Sequence, residues 1–375
     1  MKLSHPHKVC YILPEYREDD DTHFSYIGQL LRVSSDELDI FLIIEKGTLR
    51  PGSGQVFGCK KIKVIGSTNL ILRSIKLKWW LFWARFHGYR DFYVHYSFFS
   101  ALTASVIVKV FGGRVFYWNC GEPWKYTRSY FRERFERLTY HLITFLVTGT
   151  EKLGDEYVRV YKIPREKIKV LPNWVDNERF HKVSNKSIFK HELAIPEDRK
   201  VIFFVHHLSV RKGTRMILPV VRELLKLRKD FFVIVAGSGP DEVSLRERVN
   251  KTEKLSAYVR IVGSIPNHNI QKYFNIADIF FMPSQEEGFP RVILESMASG
   301  VPVVVSDVGS VVEIVPKEMK AFILDPNDNQ GFVSALNLLL SQKPEELEKT
   351  KKVLRERAEE FDVAKVVKIF INLFQ

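Results

Sequence analysis

Two glutamates, Glu287 and Glu295, frame the segment whose residue types are best suited to binding a polyhydroxylated ligand. Glu287 lies in a loop after an apolar strand candidate at 279–282, and Glu295 lies about two turns along the helix that follows. Gly288 and Pro290 bend the loop, so both carboxylates could address one ligand, while free N–H groups at the helix start suit a phosphate. The pair alone stays ambiguous, because a glutamate near a helix start is usually a solvated residue that the helix dipole favours.

Four further segments carry distinctive motifs in chain order. They read KIKVLPNWVDNERF at 167–180, VHHLSVRKG at 205–213, AGSGP at 236–240, and VG with ADIFFMPS between 262 and 284. Together with SQEEGFPRVILESMASGVPVVV, these strings resemble the signature motifs of family 4-type, group 1 glycosyltransferases, which are retaining enzymes with the GT-B fold. The resemblance runs from about 147 to 375 and is only architectural before that.

The resemblance implies a role for each matching residue. In such enzymes the first glutamate, here Glu287, contacts hydroxyls of the transferred sugar near the reacting carbon, and the second, here Glu295, holds the ribose hydroxyls of the nucleotide. The lysine of the KG loop, here Lys212, pairs with the diphosphate. The remaining donor-binding candidates are Arg211, His207, Gly288, Phe289, Pro290, Arg291 and Gly237. The donor is a nucleotide diphosphate sugar, and neither a cofactor nor a metal is expected.

Elementary electrostatics agrees with the lysine's implied role. Cleavage of a sugar–phosphate bond builds negative charge on the diphosphate, and a fixed cation stabilises that charge without reorganising. The family usually has arginine at the position of His207 and glycine at the position of His206, and a neutral imidazole is a weaker phosphate partner than a guanidinium. We therefore expect Lys212 to matter most for the phosphates, then Arg211, then His207. The alternative is that Lys212 is a solvated lysine in a strand-to-helix loop.

The N-terminal half departs from the family at two places. The loop at 14–23 has no glycine, and its Asp19–Asp21 run is interpreted as a solvated acidic loop or an acceptor contact rather than a metal motif. Asn119 or Cys120 stands where the family often has a histidine near the reacting centre. Asn119 could hydrogen-bond a sugar or acceptor hydroxyl but cannot act as a base, and Cys120 lacks a visible activating base. We expect a front-face mechanism, in which the departing phosphate accepts the acceptor proton.

Short apolar runs alternate with helical stretches along the whole chain, which indicates α/β units around parallel sheets. We predict two doubly wound, Rossmann-like domains that face each other across a cleft, the GT-B arrangement. The domains are predicted at 1–180 for the acceptor and at 181–350 for the nucleotide sugar. A C-terminal helix at 351–375 is predicted to pack back toward the first domain. Ligands of such sheets bind beyond the carboxyl ends of the strands.

Composition excludes several classes of protein. The chain has 375 residues, 45% hydrophobic and 27% charged, which is ordinary for a globular protein. No apolar run reaches the ~18 residues of a spanning helix, and the N-terminus does not look like a secretory signal. The three widely spaced cysteines argue against a disulfide framework or a zinc cluster. Secreted, fibrous and integral-membrane classes are therefore disfavoured, and we predict a cytoplasmic protein.

The positive charge is concentrated in one part of the chain. The formal net charge is +13, and residues 46–150 hold 17 of the lysines and arginines but only 4 of the acidic residues. Aromatic residues are interleaved with this charge, which favours an anionic membrane surface as a partner. A solvated basic face over core tryptophans is the second interpretation, and nucleic acid is the third because no nucleic-acid module is present. The candidates for acceptor or membrane contact are Trp79, Trp80, Arg85, Trp124 and Arg128.

These observations predict a retaining, metal-independent hexosyltransferase. It would use a nucleotide diphosphate sugar, act on a glycan or lipid-linked acceptor, and associate peripherally with the cytosolic face of a membrane. The alternatives are another GT-B-like sugar-nucleotide enzyme, either an epimerase or a phosphorylase, and a nucleic-acid-binding module. The sequence shows no paired acid and base for an epimerase and no lysine environment for a phosphorylase cofactor.

Overall fold

A computed structural model describes residues 6–17, 24, 26–49, 57–181 and 186–375. Contacts divide the chain into two units. The first comprises Met1–Pro172 together with Val363–Gln375, and the second comprises Asn173–Asp362. The Asp19–Asp21 run lies outside the described residues. The helix and strand labels below number the described elements in chain order.

The first unit is built on a seven-stranded parallel sheet with the strand order β3-β2-β1-β4-β5-β6-β7. The strands are β1 (His7–Arg17), β2 (Leu38–Thr48), β3 (Lys61–Val64), β4 (Asp91–His95), β5 (Arg114–Trp118), β6 (Phe145–Thr148) and β7 (Ile168–Val170). The helices are α1 (Ile27–Ser34), α2 (Leu70–Phe86), α3 (Phe98–Phe111), α4 (Tyr130–Leu142) and α5 (Glu151–Tyr161). Every side chain of β4 is buried, as expected for a central strand with both faces covered.

The second unit is built on a six-stranded parallel sheet with the order β10-β9-β8-β11-β12-β13. Its strands are β8 (Lys200–Val205), β9 (Phe231–Ala236), β10 (Val259–Gly263), β11 (Ile279–Met282), β12 (Val303–Ser306) and β13 (Ile323–Leu324). Its helices are α6 (Lys186–Glu192), α7 (Thr214–Leu227), α8 (Glu242–Asn250), α9 (Glu253–Ser256), α10 (Ile270–Ile276), α11 (Arg291–Ala298), α12 (Val311–Ile314), α13 (Asn329–Ser341) and α14 (Pro344–Glu359). In each sheet the order reverses beside the unit's first strand, which is the doubly wound pattern.

The last helix, α15 (Val363–Asn372), packs within the first unit. Phe370 lies against Tyr93 with ring centroids 5.1 Å apart, and Phe374 lies 5.1 Å from Phe116. Arg114 donates a hydrogen bond to the carbonyl of Phe374 at 2.6 Å. The C-terminal segment is therefore part of the core of the first unit.

The observed boundary between the units differs from the predicted position near 180. The backbone N–H of Val175 donates to the carbonyl of Phe361 at 3.0 Å, and Val175 forms a parallel bridge with Asp362. These bonds attach the stretch after Pro172 to the second unit. Helix α14 also belongs there because it packs on α11, so the segment that belongs to the first unit begins at Val363 and not at 351.

The predicted α/β fold with two parallel, doubly wound sheets is confirmed. Cys10, Cys59 and Cys120 are free and buried. Burial raises the pKa of the Cys120 thiol well above its usual range, which is the opposite of what an activated nucleophile needs. None of the helices in the described ranges is long and apolar enough to cross a bilayer.

Candidate functional site

The loop after β8 positions Lys212 at the carboxyl edge of the second sheet. Residues Val210–Lys212 form a turn of 3-10 helix, and α7 begins at Thr214. Between them, Gly213 has φ +76°, and a Cβ there would lie 1.9 Å from the carbonyl oxygen of Pro283. Only glycine allows this close approach, so the lysine loop is held against the end of β11.

Lys212 and Glu287 form a buried ion pair. The Nζ of Lys212 donates to Oε2 of Glu287 at 2.7 Å and to the carbonyl of Glu286 at 3.2 Å. The side chains are only 8% and 6% exposed, so water screens the pair weakly. The structure thus brings together Lys212, the predicted partner of the diphosphate, and Glu287, the predicted partner of the sugar.

His206 completes this cluster, and the sequence analysis missed it as a site residue. Its Nε2 lies 2.8 Å from Oε1 of Glu287, while its Nδ1 accepts a hydrogen bond from the backbone N–H of His207 at 2.9 Å. Because Nδ1 acts as an acceptor, the ring proton is assigned to Nε2, the nitrogen that faces the carboxylate. His206 directly follows β8, and ligands of parallel sheets bind beyond the carboxyl ends of the strands, so this position in the sequence could have indicated a site residue.

The two basic partners keep Glu287 ionised. Burial alone would raise the pKa of this carboxyl, but its interactions with His206 and Lys212 outweigh that effect and lower the pKa from 4.5 to about 2. Burial lowers the pKa of Lys212, and the charge of Glu287 opposes that effect. Glu287 is consequently a carboxylate at neutral pH. It can accept hydrogen bonds from hydroxyl groups but has no proton to donate.

Two glycines fix the backbone on either side of the cluster. Gly237 has φ +125°, and a Cβ there would lie 1.8 Å from the carbonyl oxygen of His206. Gly309 has φ +56°, and a Cβ there would lie 2.2 Å from the carbonyl oxygen of Glu287. The backbone of Gly237 thus packs closely against the carbonyl of His206. Binding of the donor by Gly237 stays a prediction.

Glu295 is a buried residue of α11, on the helix that follows the Glu287 loop. Oε1 of Glu295 lies 3.6 Å from Nη2 of Arg291, one helical turn earlier. The Nε of Arg291 also donates to the carbonyl of Trp174 at 3.3 Å. Arg291 thus orients Glu295 while it anchors the helix start to the connecting segment.

The residues between the two glutamates contribute packing and backbone bonds. Phe289 is buried against Phe361, with ring centroids 5.9 Å apart, and its carbonyl accepts a hydrogen bond from Nδ2 of Asn173 at 2.9 Å. The carbonyl of Gly288 accepts from the N–H of Ser310 at 3.0 Å, and Pro290 immediately precedes α11. The side chain of Phe289 is therefore part of the core, and the loop is rigidly anchored.

The two secondary phosphate candidates lie on the outside of the cluster. His207 is exposed, whereas Arg211 is about half exposed with Nη1 3.8 Å from Oε1 of Glu286. Both are accessible to an anion from solvent. Their roles toward a phosphate remain predictions.

Asn119 lies in the first unit, directly after β5, and its amide is used within that unit. Nδ2 lies 3.3 Å from the hydroxyl of Tyr140, and Oδ1 accepts from the backbone N–H of Gly121 at 2.9 Å. The side chain therefore closes the turn at 119–121. A contact with substrate remains a prediction.

The five candidates for acceptor or membrane contact lie in very different surroundings. Trp79 is 66% exposed, whereas Trp80 packs against Phe41. Trp124 packs edge-on against a tyrosine of α5, and Arg85 and Arg128 are engaged with the carbonyl of Gly112 and with Glu136, respectively. Of these five, Trp79 alone presents most of its side chain to solvent.

No cluster of three histidine, cysteine, aspartate or glutamate side chains within the described ranges is placed to hold a metal ion. Metal independence and the absence of a cofactor remain predictions.

A family profile and several known proteins match this chain. The profile described as glycosyl transferases group 1 matches residues 185–361, which include β8 to β13 and the whole cluster of Lys212, His206 and Glu287. Residues 185–361 belong to the group 1 glycosyltransferases. This glycosyltransferase segment covers nearly all of the second unit.

Individual relatives extend the comparison. An uncharacterized glycosyltransferase of Methanocaldococcus jannaschii is 28% identical over 199 residues, 52% of this chain and 50% of that protein. The lipopolysaccharide core biosynthesis mannosyltransferase LpsB of Rhizobium meliloti is 32% identical over 182 residues, 47% of this chain and 51% of that protein. The chain thus spans about half the length of these curated relatives.

The solved structures show that the fold likeness is wider than the sequence match. Anabaena HepE in complex with UDP has a TM-score of 0.81 at 14% identity, covering 98% of this chain and 99% of that chain. At this identity the likeness shows the fold alone.

Proposed function

We propose that this protein transfers a hexose from a nucleotide diphosphate sugar to a glycan or a lipid-linked acceptor. The observation that carries the proposal is the buried cluster of Lys212, Glu287 and His206 at the carboxyl edge of the second sheet, inside the segment matched by the family. Support for the donor class comes from Anabaena HepE, which has been solved with UDP and with UDP-glucose. Support for a hexose comes from the mannosyltransferase LpsB.

In this proposal Lys212 neutralises the charge that develops on the departing diphosphate. The lysine is buried, so its attraction to a phosphate is weakly screened, and Arg211 adds a second positive charge at the surface of the same loop. Positive charge from these side chains would serve the leaving group without a metal ion.

Glu287 is proposed to accept hydrogen bonds from hydroxyls of the transferred sugar. Its low pKa keeps it ionised, so it acts as an acceptor that orients the sugar and not as a general acid. Glu295, held by Arg291, is proposed to accept the ribose hydroxyls of the nucleotide.

Retention of the anomeric configuration follows if the departing phosphate itself accepts the acceptor proton on the same face of the sugar. The burial and raised pKa of Cys120 argue against a covalent route through that thiol. We further propose that the acceptor is presented at the cytosolic face of a membrane, with the protein bound peripherally.

Thermal shift tests the donor site directly, because a ligand that binds only the folded state raises the Tm. We expect UDP-glucose or another UDP-, GDP- or ADP-sugar to raise the Tm of the wild type. The variant Lys212→Ala should weaken turnover with that donor by about 1.5–3 kcal/mol, or about 10- to 150-fold in kcat/KM, because a charge-assisted contact is lost.

Lys226→Ala is the matched control, since Lys226 is an exposed lysine of α7 in the same unit, paired only with Glu223. It should leave both donor binding and turnover unchanged. Wild-type turnover in Lys212→Ala would refute the assignment of the diphosphate. Failure of all three nucleotide classes to shift the Tm would refute the donor class.

A further inference from the structure

Helix α2 in the first unit has an apolar stripe on the side that faces away from the protein. The side chains of Ile71, Ile75, Trp79, Phe82 and Phe86 are all exposed, and Ile71 and Phe86 are 74% and 68% exposed. Their spacing of three and four residues places them on one face over four turns of the helix. The opposite face is the one that the core covers, through Leu77, Leu81 and Ala84.

The two neighbouring helices continue this apolar surface. Phe111 of α3 contacts Phe82 and Phe86 at centroid distances of 5.5 and 5.4 Å, so the stripe of α2 joins the exposed end of α3. Helix α3 packs on α4 in turn. The exposed apolar residues of these two helices are Phe99, Val106, Val110 and Phe111 on α3 and Tyr130, Phe131, Phe135 and Leu138 on α4. We call the exposed apolar surface of α2, α3 and α4 the apolar face.

The charges around the apolar face are mainly positive. The three helices carry eight lysines and arginines and two glutamates. Most of the exposed charged side chains are basic: Lys76, Lys78, Lys109, Arg132, Arg134 and Arg137, beside Glu133, which is 40% exposed. Glu136 is buried between Arg128 and Arg132, and Glu133 pairs with Arg137. On α2, Lys76 and Lys78 flank the apolar stripe.

We propose that the apolar face docks on the surface of an anionic lipid bilayer. Exposed apolar and aromatic side chains on helices that lie parallel to the surface insert at the headgroup level, and flanking lysines and arginines bind anionic lipid. Exposed apolar side chains clustered on neighbouring helices in this way mark an interaction site. The inference extends the proposed action at a membrane face, but it rests on exposure and charge in the first unit.

A second copy of the chain is the competing occupant. A symmetric dimer through the apolar face would bring the predominantly basic residues of both copies together, which is unfavourable. An anionic bilayer supplies the missing negative charge. Because the negative charge of the bilayer complements the basic residues, the apolar face fits a bilayer better than a second copy of the chain.

The five candidates for acceptor or membrane contact do not all reach lipid in this arrangement. Trp79 remains on the apolar face. Trp80 and Trp124 pack against Phe41 and Tyr157, Arg128 pairs with Glu136, and Arg85 ties α2 to the end of α3 through the carbonyl of Gly112. These four residues support the surface and do not contact lipid in the proposed arrangement.

Co-sedimentation with vesicles tests the proposal on the full chain, without any sugar nucleotide. The probes are vesicles of phosphatidylcholine alone and of phosphatidylcholine with 30% phosphatidylglycerol. We expect the wild type to bind the anionic vesicles more strongly, with binding weakened by salt. The double variant Trp79→Ser, Phe131→Ser should bind at least tenfold more weakly. Val243→Ser, which changes an equally exposed apolar residue of the second unit, should bind like the wild type.

Equal binding of the double variant and the wild type would overturn the proposal. So would concentration-dependent dimerisation of the wild type that the double variant abolishes, because it would assign the apolar face to a second copy. The Tm shift by a nucleotide sugar, measured on the same double variant, separates this outcome from a failure of the proposed function. It should equal the wild-type shift whichever way the vesicle assay turns out.

Discussion

At the scale of single residues, the state of Glu287 depends on its two neighbours. His206 and Lys212 approach opposite carboxylate oxygens at 2.8 and 2.7 Å, and Glu287 is almost completely buried. A buried carboxylate is stable only when its charge is compensated. The contacts that hold Glu287 in place to accept hydrogen bonds from sugar hydroxyls would also stabilise the fold. A substitution in this cluster should therefore change the stability of the protein as well as its activity.

This coupling makes stability depend on pH. The folded pKa of Glu287 lies near 2, below its ordinary 4.5, so its contribution is fully present above pH 4.5 and is lost as the pH falls from 4.5 toward 2. We expect His206→Ala to lower the free energy of unfolding at pH 7 by about 1.5–3 kcal/mol, the value of a hydrogen bond to a charged group. The difference from wild type should shrink as the pH approaches 2.

Chemical denaturation at pH 7, 4 and 3 measures both effects. His207→Ala is the control, because that side chain is exposed and its backbone N–H remains. A pH-independent difference between His206→Ala and wild type would show that the histidine acts by packing and not through the charge of Glu287.

At the scale of elements, the cluster is assembled by loops that parallel strands deliver to one edge of a sheet. The loops after β8, β9 and β11 contribute His206 with Lys212, Gly237 and Glu287, respectively. Close backbone approaches hold these loops together, and glycines at positive φ make them possible.

Gly309→Ala tests this support. A Cβ would meet the carbonyl oxygens of Glu287 and Gly288 at 2.2 and 2.7 Å, so the loop that carries Glu287 must shift. We expect a loss of more than about 2 kcal/mol in the free energy of unfolding, because steric overlap adds to the cost of a positive φ.

Gly263→Ala isolates the cost of the backbone conformation. Gly263 has φ +79° in the same unit, and a Cβ there would meet a flexible arginine nitrogen at 3.5 Å. Its variant should lose only about 1 kcal/mol. Equal losses in the two variants, measured by denaturation, would mean that the contact with the Glu287 loop is unimportant.

At the scale of the whole molecule, the chain leaves its first unit at Pro172 and returns to it at Val363. The returning segment brings Phe370 into the aromatic core beside Tyr11 and Tyr93. The first unit therefore combines two separate stretches of the sequence, while the second unit is continuous in sequence.

Phe370→Ala should accordingly destabilise the first unit. The side chain is fully buried, and replacing a buried phenylalanine by alanine costs about 3–5 kcal/mol. Ile369→Ala, one residue earlier on the same helix, removes a partly exposed side chain and should cost much less. Denaturation followed by tryptophan fluorescence compares them, since five of the six tryptophans lie in the first unit. Similar losses would indicate that α15 is not a core element.

Sequence patterns predicted most elements because their periodicity reflects burial. The strand predicted at 279–282 is β11, and the helix predicted after it, which carries Glu295, is α11. The short strand β3 was not predicted, because its sequence KIKV has the lysines of an edge strand and no apolar run.

The sequence by itself determined the fold class and the motifs that resemble those of glycosyltransferases, and it predicted Lys212 and Glu287 as site residues, because strings of residue types record local geometry and chemistry. The tertiary structure decided what no linear pattern contains. It placed His206 against Glu287, set the start of the returning C-terminal segment at Val363, and separated Trp80, which packs on Phe41, from the exposed apolar face of α2, α3 and α4. These outcomes depend on which side chains meet across loops and helices, and such contacts are set by packing and charge compensation in three dimensions.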